Sequence, residues 1–487
     1  MQIGPDIHLT YCTNIHPGDD WAQVQASLAE YGPCVKQRVS PDAPFGIGLR
    51  LSNKASEELL VGDRMQAFRA QLACDGLYVF TMNGFPYGSF HRTAVKDLVH
   101  APDWQTAERG DYTIRLARIL AALLPDDMTE GSISTSPLSY KPWVWAQDGG
   151  DGPQGRAPSR EGAVVSGVPP SLKLRRVSGS SPFAKATGGW RLPVCRASVA
   201  QLVRVTRALL EIERETGKLI HVDLEPEPDG LLETADEVCA FFRDHLLAYG
   251  AQCLGDVAGL SEEDSRRALL RHIGVCLDTC HLALEYETPR DFVAKMQDMD
   301  IRVGKVQISS ALNVPLGEDP ANLASVVNQV GGGASLPPLN VFPHRHKVGG
   351  RVKVQDLSRV LAPFVESTYL HQVIQRNADG ILVRYRDLPE ALEGLPVDGS
   401  GAREWRVHFH VPVFTDSCGA FSTTRQTILD TFDLLAEDPF TQHLEIETYT
   451  WEVLPEDLKK DLVESIAREF AWTLSVFPQS LSKGGTS

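Results

Sequence analysis

The sequence predicts an α/β fold, a TIM-type (β/α)8 barrel, and three observations carry that expectation. Short β-rich runs alternate with longer amphipathic segments, the rhythm of βα units on a parallel sheet. Most of those runs end in polar or chemically capable residues, and barrels of this kind assemble their sites at strand ends. The chain has 487 residues, enough for one barrel with insertions.

The strand candidates are 8–12 (HLTYC), 46–52 (GIGLRLS), 77–83 (LYVFTMN), 132–136 (SISTS) and 220–225 (IHVDLE). They continue with 274–278 (GVCLD), 303–309 (VGKVQIS), 407–413 (VHFHVPV) and 444–448 (LEIET). That is nine, one more than a closed eight-stranded barrel needs. The count puts an extra N-terminal strand, 8–12 or 46–52, outside the barrel, unless one run is misread.

Between them, Ser198 reads as the cap of a helix with Val199, Leu202, Val203, Leu209, Leu210 and Ile212 on one face, ending at Gly217. Similar stripes cover 114–124 and 427–436, and another runs from a Thr234 cap to Ala248. These faces are core packing. Two Gly-rich stretches, 147–189 and 331–350, interrupt the rhythm and read as surface loop insertions. The expected organisation is a single barrel over 1–480 with a frayed tail, 481–487.

Composition narrows the class. With 63 acidic against 47 basic residues the net charge is −16, which disfavours nucleic acid as a partner. No apolar run is long enough to span a membrane, and MQIGPDIHLTYC lacks the features of a signal peptide. Nine dispersed cysteines without a CxxC pair read as buried free thiols in a reducing compartment, so a cytoplasmic location is expected.

Four clusters carry candidate chemistry. In HVDLEPEPDG (221–230), alternation puts Asp223, Glu225 and Glu227 on one face, and Pro226 and Pro228 stop the ladder with Glu225 at the rim. A cation site and a salt-bridged loop both fit that triplet. CLDTCH (276–281) spaces Asp278 and His281 so that carboxylate and imidazole can converge on one ion. In VHFHVPV, His408 and His410 share a face, as ligands, proton shuttles or a structural pair. On the last run Glu445 and Glu447 are in phase, and Tyr449 and Trp451 offer a flat wall for substrate or a packing plug. A barrel would bring these clusters to one rim. Oxygen and nitrogen donors without thiolate suit Mg, Mn, Co or Zn in a catalytic role.

A strand-end Glu, a strand-end DxxH and a final-strand Glu together resemble the xylose-isomerase-like barrels, which include sugar-phosphate isomerases and epimerases. More narrowly, LTYCTNIHPG (9–18), PFGIGLRLS (44–52), NGFPYGSFH (83–91), LEPEP (224–228) and CLDTCH (276–281) resemble the EboE-type metabolite traffic proteins. So do KVQIS (305–309), YLHQV (369–373), VHFHVPVF (407–414) and ETYTWEVLP (447–455). The resemblance implies a divalent metal on Glu225, Asp278 and Glu447, with His281 beside them. It also implies a pathway that moves or modifies a secondary metabolite, with other proteins of that pathway as possible partners. Gln307 stands where the superfamily has a sixth-strand histidine, so His408 or His410 becomes a candidate for the missing ligand. His16, Asn83 and His91 follow early strands and are rim candidates or ordinary loop hydrogen-bonders. His371 is placed between the sixth and seventh strands, within reach of the site, and His344 and His346 are expected in solvent.

The leading expectation is a metal-dependent isomerase or epimerase acting on a polyhydroxylated or cyclitol-type metabolite. Glu225 and Glu447 would be the acid/base pair with His410 as a further catalytic group. His408, Gln307, Asn83, His91, His371 and Trp451 would contact substrate. A metal-dependent phosphoester hydrolase and a non-catalytic metabolite-binding barrel are the alternatives.

Overall fold

The computed structural model describes residues 1–88, 95–147, 191–316, 352, 356–394, 401–418, 421–448 and 461–482. Its first seven strands are β1 (His8–Tyr11), β2 (Phe45–Arg50), β3 (Leu77–Asn83), β4 (Glu130–Thr135), β5 (Leu219–Leu224), β6 (Ile273–Asp278) and β7 (Val303–Ile308). Six strands of a second sheet follow: β8 (Leu312–Pro315), β9 (Val373–Asn377), β10 (Leu382–Tyr385), β11 (Ala402–Val407), β12 (Ser417–Cys418) and β13 (Phe421–Thr423). The chain then returns in β14 (His443–Ile446).

The first sheet has eight parallel strands in the order β1-β14-β7-β6-β5-β4-β3-β2. A parallel bridge from Cys12, just past β1, to Gly48 on β2 brings its two edges together. The fold is therefore the (β/α)8 barrel, and both N-terminal candidates belong to it. The surplus candidate is 407–413: Val407 ends β11 in the second sheet, and 408–413 cross the rim with no regular strand. There His408 N–H donates to the Gln372 carbonyl (2.9 Å) and Val411 N–H to that of Ser310 (2.9 Å). Apolar alternation reports an extended chain with one buried face, and it is silent about which sheet that chain joins. The numbering changes accordingly. Gln307 lies on the seventh barrel strand, not the sixth, and His371 between the seventh and eighth.

The second sheet is antiparallel, in the order β10-β9-β11-β8-β13-β12, and is inserted between β7 and β14. The Gly-rich stretch 331–350 belongs to this insertion by sequence position; it and nearly all of 147–189, which lies between β4 and β5, fall outside the described residues.

The barrel axis is polar. Lys305 and Glu445 form an ion pair there, both side chains fully buried. A Cβ on Gly48 would stand 1.8 Å from Glu445 Oε1 and 2.8 Å from the Tyr11 carbonyl, so only glycine admits that pair. Deeper down, Asp223 occupies the space that a side chain at Gly304 would need, 2.1 Å from the missing Cβ.

Around the barrel the described helices follow their local signals only in part. Thr234 caps Ala235–Phe241 as expected, accepting from Glu237 N–H. The helical run then passes through a π stretch, Phe242–Gly250, and stops at Ala258, where Gly259 adopts φ +68°. Ser198 is not a cap, because its helix starts at Arg191 and runs to Thr216. The buried face itself starts earlier, at Val194 and Cys195, a turn before Ser198. The cysteines also differ from expectation: Cys12, Cys195, Cys276 and Cys280 are buried free thiols, but Cys34 and Cys74 are exposed. Among the described residues no helix is long and apolar enough to cross a membrane.

Candidate metal centre and its cavity

Three strand ends deliver three carboxylates. Asp278 closes β6, Glu225 follows β5 directly, and Glu447 follows β14 directly. The Glu225 and Glu447 amides continue their ladders, to Thr135 O (2.9 Å) and Ile308 O (3.0 Å), which fixes where the side chains start. One oxygen of each carboxylate lies within 4.8 Å of the other two, and all three residues are buried. Bringing three ionised carboxylates together out of water costs on the order of several kcal/mol per ion unless a cation or protons intervene. Burial, and then repulsion from Asp278, lifts the Glu225 carboxyl well above the usual range. Glu447 is likewise raised by burial and by Glu225 and Asp278. Asp278 goes the other way. Burial opposes its charge, but His281, His410 and the Ser309 hydroxyl outweigh that and hold its carboxyl low. Its Oδ1 accepts from Cys280 N–H (2.7 Å), His281 N–H (3.1 Å) and Ser309 Oγ (2.5 Å), and Oδ2 has no hydrogen-bond partner.

Beside the carboxylates stand three imidazoles. His410 donates from Nδ1 to the Glu447 carbonyl at 2.8 Å. His408 donates from Nδ1 to Gln372 Oε1 at 2.7 Å, and the Gln372 amide is oriented because its Nε2 donates to Pro228 O (3.2 Å). Both rings therefore turn Nε2 inward as an acceptor. His408 Nε2 is 3.3 Å from His410 Nε2 and 3.1 Å from His281 Nε2, so only a proton on His281 bridges the group internally. His281 Nδ1 faces Glu225 Oε1 at 3.6 Å. Asp278, His281 and His410 also have donor atoms within 4.8 Å of one another. The donor set, carboxylate oxygens with neutral imidazole, fits a divalent ion of the Mg, Mn, Co or Zn group.

Of these groups Glu225, Glu447, His281, His408 and His410, but not Asp278, form the polar wall of a cavity whose empty space, counted out to its open mouth, is about 590 Å3. Phe85, Pro86, Val95 and Val99 supply an apolar side, and Glu227 and His100 add a second polar edge, 3.5 Å apart.

The other expected site residues divide clearly. Asn83 sits behind Glu447, donating to its Oε1 (3.4 Å) and to Cys12 Sγ (2.8 Å) while accepting from Ser134. Gln307 is fully buried, accepts from Cys276 Sγ (3.0 Å) and does not line the cavity. His371 spends both nitrogens, on the His408 carbonyl and Glu366, and stacks on Phe409 at 3.7 Å. It supports the segment carrying His408 and does not face the cavity. His16 points away, bonded to Tyr11 and stacked on Tyr31 at 4.4 Å. Glu445 is the partner of Lys305 on the barrel axis, below the rim. His91, His344, His346, Tyr449 and Trp451 lie outside the described residues. Asn14 was not anticipated, yet it lines the cavity and donates to Glu447 Oε1 at 2.9 Å. It sits in the same TNIH string as His16, just past β1, and an amide at a strand exit was the available signal. Gln372 was likewise missed beside His371.

No protein-family model matches the chain, and no curated protein does. Among solved structures it is similar to a xylose isomerase-like TIM-barrel protein from Mycobacterium smegmatis in complex with magnesium, at 12% identity and TM-score 0.42, covering 99% of this chain and 100% of that one. A xylose isomerase domain-containing protein from Salmonella typhimurium is similar at 11% identity and TM-score 0.35, with 97% of each chain covered. The IOLI protein with a bound zinc atom is similar at 9% identity and TM-score 0.30, over 65% of this chain and 76% of that one. At these values the likeness adds nothing to the strand order, which carries the fold by itself.

Proposed function

We propose that the chain is a metal-dependent isomerase- or epimerase-like enzyme acting on a small polyhydroxylated or cyclitol-type metabolite. The observation that carries this reading is the convergence of Glu225, Asp278 and Glu447 within 4.8 Å, two of them, Glu225 and Glu447, lining a cavity. The buried Lys305, whose charge acts on Glu225 and Glu447, is already paired with Glu445. A divalent ion held by Glu225, Asp278, Glu447 and His281 would supply Lewis acidity toward adjacent substrate oxygens. Glu225 and Glu447, on different strand ends, would remove and return a proton at a carbon beside a carbonyl. His408 and His410, with Nε2 turned inward, would accept hydrogen bonds from substrate hydroxyls. Asn14 and Asn83 would hold Glu447 in place. The EboE-type resemblance supports placing the reaction in a pathway that modifies or moves a secondary metabolite.

The test is metal analysis of the purified protein beside Glu225→Gln and Glu447→Gln, together with solvent-deuterium exchange into candidate sugars and cyclitols. Each variant is expected to lose the rim metal at least tenfold in affinity and to abolish exchange. Unchanged metal affinity in both variants overturns the reading. Metal binding without exchange in any candidate favours a non-catalytic binding barrel.

A further inference from the structure

At the opposite end of the barrel, three donors from three strands meet. Glu130 begins β4, His221 is the third residue of β5, and His443 begins β14. One donor atom of each lies within 4.8 Å of the other two. None belongs to the rim described above, and neither family resemblance involves them.

The second sphere of this cluster is built. His221 gives its Nδ1 proton to Asp223, with both carboxylate oxygens at 2.9 Å. Asp223 fits against Gly274 and Gly304, where an added Cβ would fall 2.6 and 2.1 Å from its Oδ1, so glycine at both positions is what admits the carboxylate. His443 gives its Nδ1 proton to the Gly304 carbonyl (3.1 Å) and lies flat against Phe80, with ring centroids 5.7 Å apart. In His443 the remaining nitrogen, Nε2, is left to act as a lone-pair donor. In His221 burial disfavours a second proton but Asp223 and Glu130 outweigh it, so an ion would take Nε2 by displacing that proton. A carboxylate or carbonyl behind a histidine is how metal-binding imidazoles are oriented and made more basic. The His221 ring is fully buried, and its Nε2 makes no hydrogen bond of ordinary geometry; Glu130 Oε1 stands off at 3.4 Å. Glu130 Oε1 is also met by Arg302 at 2.6 Å, which leaves Oε2. The Glu130 side chain is 23% exposed, which gives an ion a route from solvent.

We infer that Glu130, His221 and His443 form a second metal site, of zinc-class preference, on the floor of the barrel. Two imidazole nitrogens and one carboxylate make a His2Glu set, which suits Zn and its neighbours and not Mg or Ca. The ion would tie β4 and β5 to β14, the strand that closes the barrel.

The experiment uses the full chain stripped of metal and titrated with Zn2+, followed by stoichiometry, and with Co2+, followed by visible absorption. Glu130→Gln and His443→Gln are compared with Glu447→Gln and wild type. The floor site is expected to take one equivalent that Glu447→Gln retains and that the two floor variants bind at least 100-fold more weakly. Zinc should raise the Tm of wild type and of Glu447→Gln but not that of the floor variants. This pattern is independent of the rim: if the rim binds no metal, wild type still takes the one floor equivalent. Should His443→Gln fail to fold, Glu130→Gln, at a partly exposed position, decides alone. Zinc binding and thermal shift equal to wild type in Glu130→Gln overturn the inference and leave the cluster as an internal ion pair between His221 and its carboxylates.

Discussion

His408 and His410 face each other Nε2 to Nε2 across 3.3 Å, and each ring sends its Nδ1 proton the opposite way, to Gln372 and to the Glu447 backbone. Two lone pairs so placed repel unless something positive lies between them. Gln372→Leu removes the acceptor behind His408 and frees that ring to change tautomer. A substrate hydroxyl then loses an acceptor, a contribution of about 0.5–1.5 kcal/mol. Gln372→Leu is expected to raise KM about 2–10-fold, with metal content and far-ultraviolet circular dichroism unchanged.

The Lys305–Glu445 pair on the barrel axis should behave as a buried ion pair. Removing one partner leaves an uncompensated charge, at a cost of about 3–5 kcal/mol. Lys305→Met is therefore expected to lower the unfolding free energy by that amount, and Lys305→Met/Glu445→Met to recover most of it. Urea denaturation of the three proteins measures the difference, and a double variant no better than the single would contradict it.

Gly48 is constrained by the same pair. In Gly48→Ala the new methyl would sit 1.8 Å from Glu445 Oε1 and 2.8 Å from the Tyr11 carbonyl. The carboxylate can shift only by leaving Lys305, and the carbonyl belongs to β1. Overpacking of this kind costs about 1–3 kcal/mol, and thermal denaturation is expected to show it. A substitution at Gly88, where an added Cβ meets nothing within 4 Å, controls for loss of glycine itself.

Glu469 supplies a pH dependence. It is buried in the helix Leu462–Val476, where it accepts from Thr448 Oγ1 at 2.6 Å. Burial raises its carboxyl to about 8, against 4.5 in an unfolded chain, although the hydrogen bonds from Thr448 and Val413 N–H oppose the rise. Between those values the folded state holds the proton and the unfolded state does not. Stability therefore declines as pH rises from about 4.5 to 8, at up to about 1.4 kcal/mol per pH unit. Glu469→Gln is expected to flatten that part of the stability profile, measured by urea titration at a series of pH values.

Much of the barrel was legible because each of its strands is a local pattern. A buried parallel strand reads as a short apolar run with polar residues at its exit, and Glu225, Asp278 and Glu447 sit at such exits. The second sheet was harder to see. Its strands are short, and their pairing is set by a turn, not by apolar content. The Asp379–Gly380 step, with Gly380 at φ +83°, was the readable hairpin signal between β9 and β10. Missing it moved His408 and His410 onto the wrong sheet while leaving them at the right rim. Orientation was the other limit. His16 and Asn14 are two residues apart, and only the packing of His16 on Tyr31 decides that the asparagine, not the histidine, reaches Glu447.

The inserted sheet also bears on the order in which the molecule can assemble. Seven barrel strands are complete at Ile308, but the eighth does not begin until His443. Lengthening a connection costs little at equilibrium, about 0.6 kcal/mol for each doubling, while it slows contacts that depend on closing it. His408 and His410 arrive late within that excursion, and Glu447 on its far side. A nascent chain halted before β14 would carry Glu225 and Asp278 on an open sheet with both edges unsealed. The ion-binding rim is thus completed only with the last barrel strand, and its completion coincides with the sealing of the barrel.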